Sequence, residues 1–359
     1  MMNILIKLLV VFVLPNVASS VTTGCISKNN PSIACCSGEI ELDQTMISIA
    51  DSAFSGCSTL IGSLTIPDSV RTIGEFAFQS CSGFSSLTLS NSLTSIASSA
   101  FSKCSGFSGI LVIPDSVTTI ELETFLGCSG FTGSLVIPDS VTSIGKSAFY
   151  ECSGFNGILI IPGSVTSIGE EAFYVCSGFT GSLTIPDSVT SIGDAAFSDC
   201  SGFTGSLTLS NSLTSIGNSA FFQCSRFTGS LTIPDGVTSI GISAFAVCLK
   251  FTGSLVIPDT VTSIGATAFS QCPGFAGSLT IPDSVTSIGD SAFYECTGFT
   301  GSLALSNSLI SIGSQGFYDC TSFVYISRYA GTSVTADTFG GGTVTPTIIV
   351  ASSMPTGQP

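Results

Sequence analysis

A cysteine returns at a nearly fixed interval along most of this chain: Cys57, Cys81, Cys104, Cys128, Cys152, Cys176, Cys200, Cys224, Cys248, Cys272, Cys296 and Cys320. Ten of the eleven intervals are 24 residues and one, Cys81 to Cys104, is 23. The neighbours of each cysteine return with it. The stretch Leu183 to Phe203, L-T-I-P-D-S-V-T-S-I-G-D-A-A-F-S-D-C-S-G-F, reappears nearly intact one period away in either direction. A period of this length points away from a single compact core and toward an array in which each copy packs on the copies before and after it.

Inside one copy the apolar spacing changes. Leu183 and Ile185 alternate with Ser182 and Thr184, the period-two pattern of a short strand with one buried face. Pro186 cannot donate to a ladder and ends the strand. Asp187-Ser188 then supplies a turn in which short polar side chains bond the local backbone. Val189 and Ile192 point back inward, Gly193 permits a bend, Ala196-Phe197 reverses the chain, and Cys200 and Phe203 complete the coil. One copy cannot enclose its own apolar residues, so stacking must do it. The expected fold is a β-rich repeat solenoid, a leucine-rich-repeat-like right-handed coil of about twelve 24-residue repeats with a long parallel sheet on the order of 55 Å. The array begins at Ile40-Glu41-Leu42, one period before Leu64-Thr65-Ile66, and closes in a degenerate copy from Phe323 to Phe339 that carries Tyr325 and Tyr329.

The chain divides into a signal peptide over 1–20, a cysteine-containing N-terminal cap over 21–38, the solenoid over 39–339 and a flexible Gly/Pro/Thr-rich tail over 340–359. Lys7, the apolar run Leu8 to Leu14, Pro15 and the small residues Ala18-Ser19-Ser20 have the composition of a secretory leader, too short for a spanning helix. Secretion makes Cys25, Cys35 and Cys36 candidates for a disulfide that staples the cap, with one of the three left over. The tail holds no segment long enough to cross a bilayer, so no membrane insertion is expected after signal cleavage. Its end, Pro355 to Pro359, resembles the opening of a Pro/Gly/Gln stalk, and no N-x-[ST] glycosylation acceptor occurs.

Eight Lys and Arg stand against 23 Asp and Glu, for a net charge of −15. With no basic cluster, such a surface repels phosphate backbones, and nucleic acid is excluded as a partner. Histidine is absent, which removes histidine-activated nucleophiles and histidine-ligated zinc. Each carboxylate has many equivalents, so none reads as half of an acid/base pair. The chain is expected to be no enzyme and to need no cofactor.

Four columns remain as candidates. The twelve cysteines, with a phenylalanine three before each and usually three after, read as buried thiols used as small hydrophobes rather than as a metal or redox array. The column Asp68, Asn91, Asp115, Asp139, Gly163, Asp187, Asn211, Asp235, Asp259, Asp283, Asn307 reads as turn formers; the alternative is a set of hard-cation ligands. Threonines at 65, 88, 184, 208, 232 and 280 face outward from the strands, and a second line runs from Thr142 to Thr286. In the strand line, Ile110, Val112, Val136, Ile158, Ile160 and Val256 interrupt the hydroxyls. The first five form an exposed apolar band, and with Thr184, Thr208 and Thr232 they make the candidate contact face.

The run I-P-D-S-V-T-S-I-G-x-x-A-F-x-x-C resembles the BspA-type leucine-rich repeat over roughly Glu39 to Phe339. Copies at Asn91, Asn211 and Asn307 depart from it by carrying Ser-Asn for Pro-Asp, and an F-T-G-S segment before each strand lengthens the copy. The resemblance implies secretion or surface display and adhesion to an extracellular or cell-surface protein or glycan. Two alternatives stay open: a structural wall or matrix component, and an ice-binding solenoid, whose flat threonine ladders these columns resemble.

Overall fold

The computed structural model describes residues 37–323, 325–329, 336–340 and 347–351. The leader and the cysteines Cys25, Cys35 and Cys36 lie outside them. The chain forms two compact units, 1–179 and 180–359, and each is a parallel β-solenoid with 24-residue spacing, about twelve turns between them.

A coil is built from three backbone segments rather than one long strand. The S-L-T-I segment was expected to carry the sheet, but its strands are mostly two residues long, as in Leu135–Val136 and Leu183–Thr184, because proline removes the next donor. They pair in short ladders, Leu135 with Leu159 in the first unit and Leu231 with Leu255 in the second. The V-T-S-I segment, read from sequence only as inward-pointing, forms a more continuous set. In the second unit Ser215–Ile216, Ser239–Ile240, Ser263–Ile264, Ser287–Ile288 and Ser311–Ile312 make one five-stranded parallel sheet. All of these pairings hold the 24-residue register.

The third segment is an arc leading into each cysteine. In the coil of Cys200 the amides of Ala195, Phe197 and Asp199 donate to the carbonyls of Asn218, Ala220 and Phe222 one coil on, at 2.7–2.9 Å. The alternate amides of Ala196, Ser198 and Cys200 close turns on Gly193, Ala195 and Phe197. This geometry holds two residues per coil at positive φ, and 22 of them are not glycine, Val175 and Val247 included. Such conformations cost on the order of 1–3 kcal/mol each and persist only where the surroundings impose them. Here the bonds between coils do so.

The interior follows from the columns. Phenylalanines stack face to face along each unit, Phe197 on Phe221 at 5.5 Å and 1° and Phe221 on Phe245 at 5.3 Å and 4°. The second phenylalanine of a coil meets the first edge-on, as Phe78 meets Phe84 at 6.4 Å and 72°. Glycine in the S-I-G segment is required for a different reason than a bend. A Cβ on Gly241 would lie 2.7 Å from the amide nitrogen of Asn218 and the carbonyl carbon of Gly217, so the coils approach backbone to backbone.

The short copy is accommodated locally. Gly62 pairs with Phe84 but Ser63 with Ser86, so the register shifts between Gly62 and Ser63, and Gly62 sits at φ +82. At the other end the segment read as a flexible tail contains a strand, Thr347–Ala351, parallel to Tyr325–Tyr329. Its T-I-I-V-A sequence is strongly β-favouring. The four-residue helix Ala336–Phe339 takes the place of the last arc, and Phe339 stacks on Phe317 at 5.5 Å.

Replacing Phe197 by Ala should cost about 3–5 kcal/mol and weaken protection of the coils around it in hydrogen exchange; an unchanged melting curve would place this column outside. Gly241→Ala should cost about 1–3 kcal/mol, because the added methyl meets backbone that cannot rotate away; thermal melts of the two proteins decide it.

Candidate functional site

The cysteine column is interior in both units, with every member from Cys57 to Cys320 at 4% exposure or less. Ten of the column thiols also have a directional partner that the sequence did not disclose. Cys128 donates its S–H to the Phe101 carbonyl at 3.1 Å, and Cys224 to that of Phe197 at 3.0 Å, always the preceding coil's arc. That carbonyl already accepts the cysteine amide of its own coil, and the sulfur takes up its second acceptor site. Burial pushes the Cys81 thiol up to about 12, and it pushes Cys104, Cys128, Cys152, Cys224, Cys248, Cys272 and Cys320 upward as well. Thiols held protonated in this way are neither nucleophiles nor metal ligands. Cys57 departs from the expected ladder of twelve thiols, for it is disulfide-bonded. The other eleven column cysteines are free, so its partner lies outside the described residues.

The aspartate and asparagine column does more than turn the chain. Asp187 accepts the Asn211 amide N–H at 2.8 Å, and Asp283 that of Asn307 at 2.7 Å, with each asparagine side-chain amide on the second carboxylate oxygen. An asparagine following an aspartate thus pairs with it where a second carboxylate would repel. In the same copies serine replaces proline, and the fully buried Ser210 donates to the Val189 carbonyl at 2.6 Å while accepting the Ser212 amide. Among the described residues no group of three or more Cys, Asp or Glu stands close enough to hold a metal ion.

The second threonine line is tied to the backbone. Thr166 donates its hydroxyl to the Thr142 carbonyl at 3.1 Å in the first unit, and Thr262 to that of Thr238 at 3.0 Å in the second. Those hydroxyl protons are therefore committed within the ladder.

The strand face is where the surface varies. In the first unit Leu111, Leu135 and Leu159 point inward while Ile110, Val112, Val136, Ile158 and Ile160 are 65, 69, 51, 44 and 41% exposed. Val136 and Ile160 are direct cross-strand neighbours. Ile110 leans over the next coil, its Cγ1 3.1 Å from where a Cβ on Gly133 would stand. In the second unit Thr184, Thr208 and Thr232 line an open groove of about 520 Å³ together with Asp187, Asn211, Pro186 and Pro234. The aspartate and asparagine were read as turn residues, with cation ligation as the alternative; their recurrence 24 residues apart was the signal that they share a surface with the threonines. Val256 extends this line, in register with Thr232.

Short parallel strands, a phenylalanine and cysteine interior and one outward strand face define a leucine-rich-repeat solenoid. More narrowly, the chain belongs to the BspA type leucine rich repeat family, whose pattern matches residues 33–156, 157–276 and 275–338. A leucine rich cell surface protein from Faecalibacterium prausnitzii is similar in structure, with 27% identity, a TM-score of 0.55, and 85% of this chain and 83% of that one covered. So is a leucine-rich repeat protein from Bacteroides ovatus, with 26% identity, a TM-score of 0.56, and 85% and 88% coverage. No curated protein gives a match. Family and fold together describe a protein-binding scaffold. Among the described residues no helix is long and apolar enough to cross a membrane.

Two measurements follow from the thiols. Alkylation in native buffer should leave the eleven free column cysteines unmodified, with all eleven reacting in denaturant and Cys57 only after reduction; rapid native labelling would show an open interior. Below the ordinary thiol value of 9.0 both folded and unfolded chains keep these protons, and pH has no leverage through them. Above it only the unfolded chain ionises, so stability should fall with rising pH, by up to about 1.4 kcal/mol per pH unit for each raised thiol. Urea melts between pH 7 and 10.5 should show a steep alkaline loss, and a flat profile would contradict the buried protonated ladder.

Proposed function

We propose that the protein is a secreted or cell-surface adhesion scaffold that holds an extracellular protein or glycan against its outward strand face, without catalysis. One contrast inside the chain carries this reading. The inward strand position is leucine in copy after copy, from Leu64 to Leu303, whereas the outward neighbour runs Thr65, Thr88, Val112, Val136, Ile160, Thr184, Thr208, Thr232, Val256, Thr280, Ala304. The buried position is fixed by packing, while the exposed one is free to be set by what it meets. The leader-like N-terminus supports export, and the cell-surface relative supports display.

A pull-down with the mature protein against extracellular-matrix and cell-surface extracts should retain a surface protein or glycoconjugate. Recovery of intracellular partners alone would contradict adhesion. The Ser/Thr-rich exterior also favours a second reading as a wall or matrix component. Native protein that resists extraction with salt would support the matrix reading over the adhesive one.

A further inference from the structure

We infer that the band formed by Ile110, Val112, Val136, Ile158 and Ile160 takes an extended aliphatic segment of a partner protein that is flanked by Lys or Arg. This rests on the reading of the strand face as a binding surface, and it names the chemistry of the partner for the first unit alone.

Three observations select that occupant. The band spans three successive coils: Val112, Val136 and Ile160 form one aliphatic row, and Ile110 and Ile158 flank Ser134, whose hydroxyl oxygen is taken up by the Ile158 amide, so that none of the five members carries an aromatic ring or a side-chain donor. A glycan needs hydroxyl partners or an aromatic platform, so the band does not suit one. Its border is acidic on one side: the exposed Asp115 and Asp139 stand three residues beyond Val112 and Val136, and no Lys or Arg occurs in 108–118, 132–142 or 156–166. A second copy of this chain would bring the same carboxylates against themselves, and an anionic lipid surface would be repelled likewise. A basic partner is attracted.

The third coil breaks the acidic border in an informative way. Gly163 replaces the aspartate beside Ile160, yet a Cβ there would meet nothing within 4 Å. Packing does not demand the glycine. Its effect is a low, uncharged opening at the end of the band, where a peptide backbone can pass over the turn. Five half-exposed aliphatics cover less than the roughly 800 Å² per partner of a standard stable interface, which fits a short linear segment better than a folded domain.

The test uses the mature protein and three synthetic decapeptides with a common Val/Ile centre, flanked by Lys, by Glu or by Ser, in fluorescence polarisation. The wild type should bind the Lys-flanked peptide roughly tenfold or more tighter than the Glu-flanked one, with the gap shrinking in 0.5 M salt. The combined variant Ile110→Ser, Val112→Thr, Val136→Thr, Ile158→Ser, Ile160→Thr installs residue types that the same positions carry in other copies, so the fold is kept; circular dichroism and native thiol protection verify it. That variant should lose roughly tenfold or more in affinity. Asp115→Asn with Asp139→Asn should abolish the preference for Lys flanks while leaving Ser-flanked binding unchanged. Equal binding of all three peptides, an unaffected band variant, or a wild-type dimer that the band variant dissolves would each overturn the inference. If the variant still retains cell-surface ligands from extracts, adhesion stands and this inference fails. If neither protein retains any but the Lys-flanked peptide binds as described, the inference stands and adhesion fails.

Discussion

The structure depends on the backbone of one coil lying in hydrogen-bonding contact with the backbone of the next, at three places around the turn and always one period apart. Donors alternate in direction: in the S-I-G segment Gly241 donates back to Ile216, whereas in the arc Phe221 donates forward to Ala244. Because these bonds consume the amides and carbonyls of the coil wall, a two-residue strand is sufficient at each crossing. The close approach leaves no room for a side chain at the stacked glycines, and it brings the phenylalanine rings to 4.9–5.5 Å along the first column of the second unit. Stacked rings and backbone ladders thus demand nearly the same rise per coil.

The sulfur ladder answers a problem that the arc creates. Turning the chain within six residues aims carbonyls into the interior, where each accepts an amide of its own coil and still has a second acceptor site to fill. Serine could donate to such a carbonyl but would carry a more polar oxygen among phenylalanines. Cysteine combines a weak donor with an apolar, polarisable body. Among the described residues a single buried side-chain oxygen lacks a partner, that of Ser69. Its counterparts later in the first unit, Ser140 and Ser164, donate to Val117 and Val141 one coil earlier. Ser69 belongs to the first regular copy, where the coil before it is irregular.

Much of this was legible from the chain. The period, the inward set Leu, Ile, Val, Ile, Ala, Phe, Cys, Phe and the outward band at Ile110 to Ile160 follow from spacing alone, since alternation at a short strand fixes which side chain faces water. The arc was not legible. Its left-handed positions hold Ser, Glu, Lys, Gln, Asp and even Val, because bonds between coils impose the conformation and local propensity has no vote. Cys57 is the one member of its column followed three residues on by a leucine, Leu60, rather than a phenylalanine, a local mark that reading the column as uniform passed over. The groove beside Thr208 escaped notice because Asp187 and Asn211 satisfy a turn reading individually, and only their stacking places them on one surface.

The single shortened copy shows where this architecture accepts a change of length. The residue is missing between Cys81 and Leu87, after the buried ring of Phe84 and before the inward leucine. There the chain runs on the outside in the strand Phe84–Thr88, and its pairing with Gly62–Thr65 absorbs the lost residue in one glycine-assisted step in register. Everything inward of that point resumes its place, and Phe84 still stacks on Phe107 at 6.1 Å. The coil therefore separates into a stretch whose residue count is rigidly set and a short rim whose count is editable. Insertions at that rim would reshape the edge of the strand face without disturbing a single interior contact, giving the exterior a freedom of contour to match its freedom of composition.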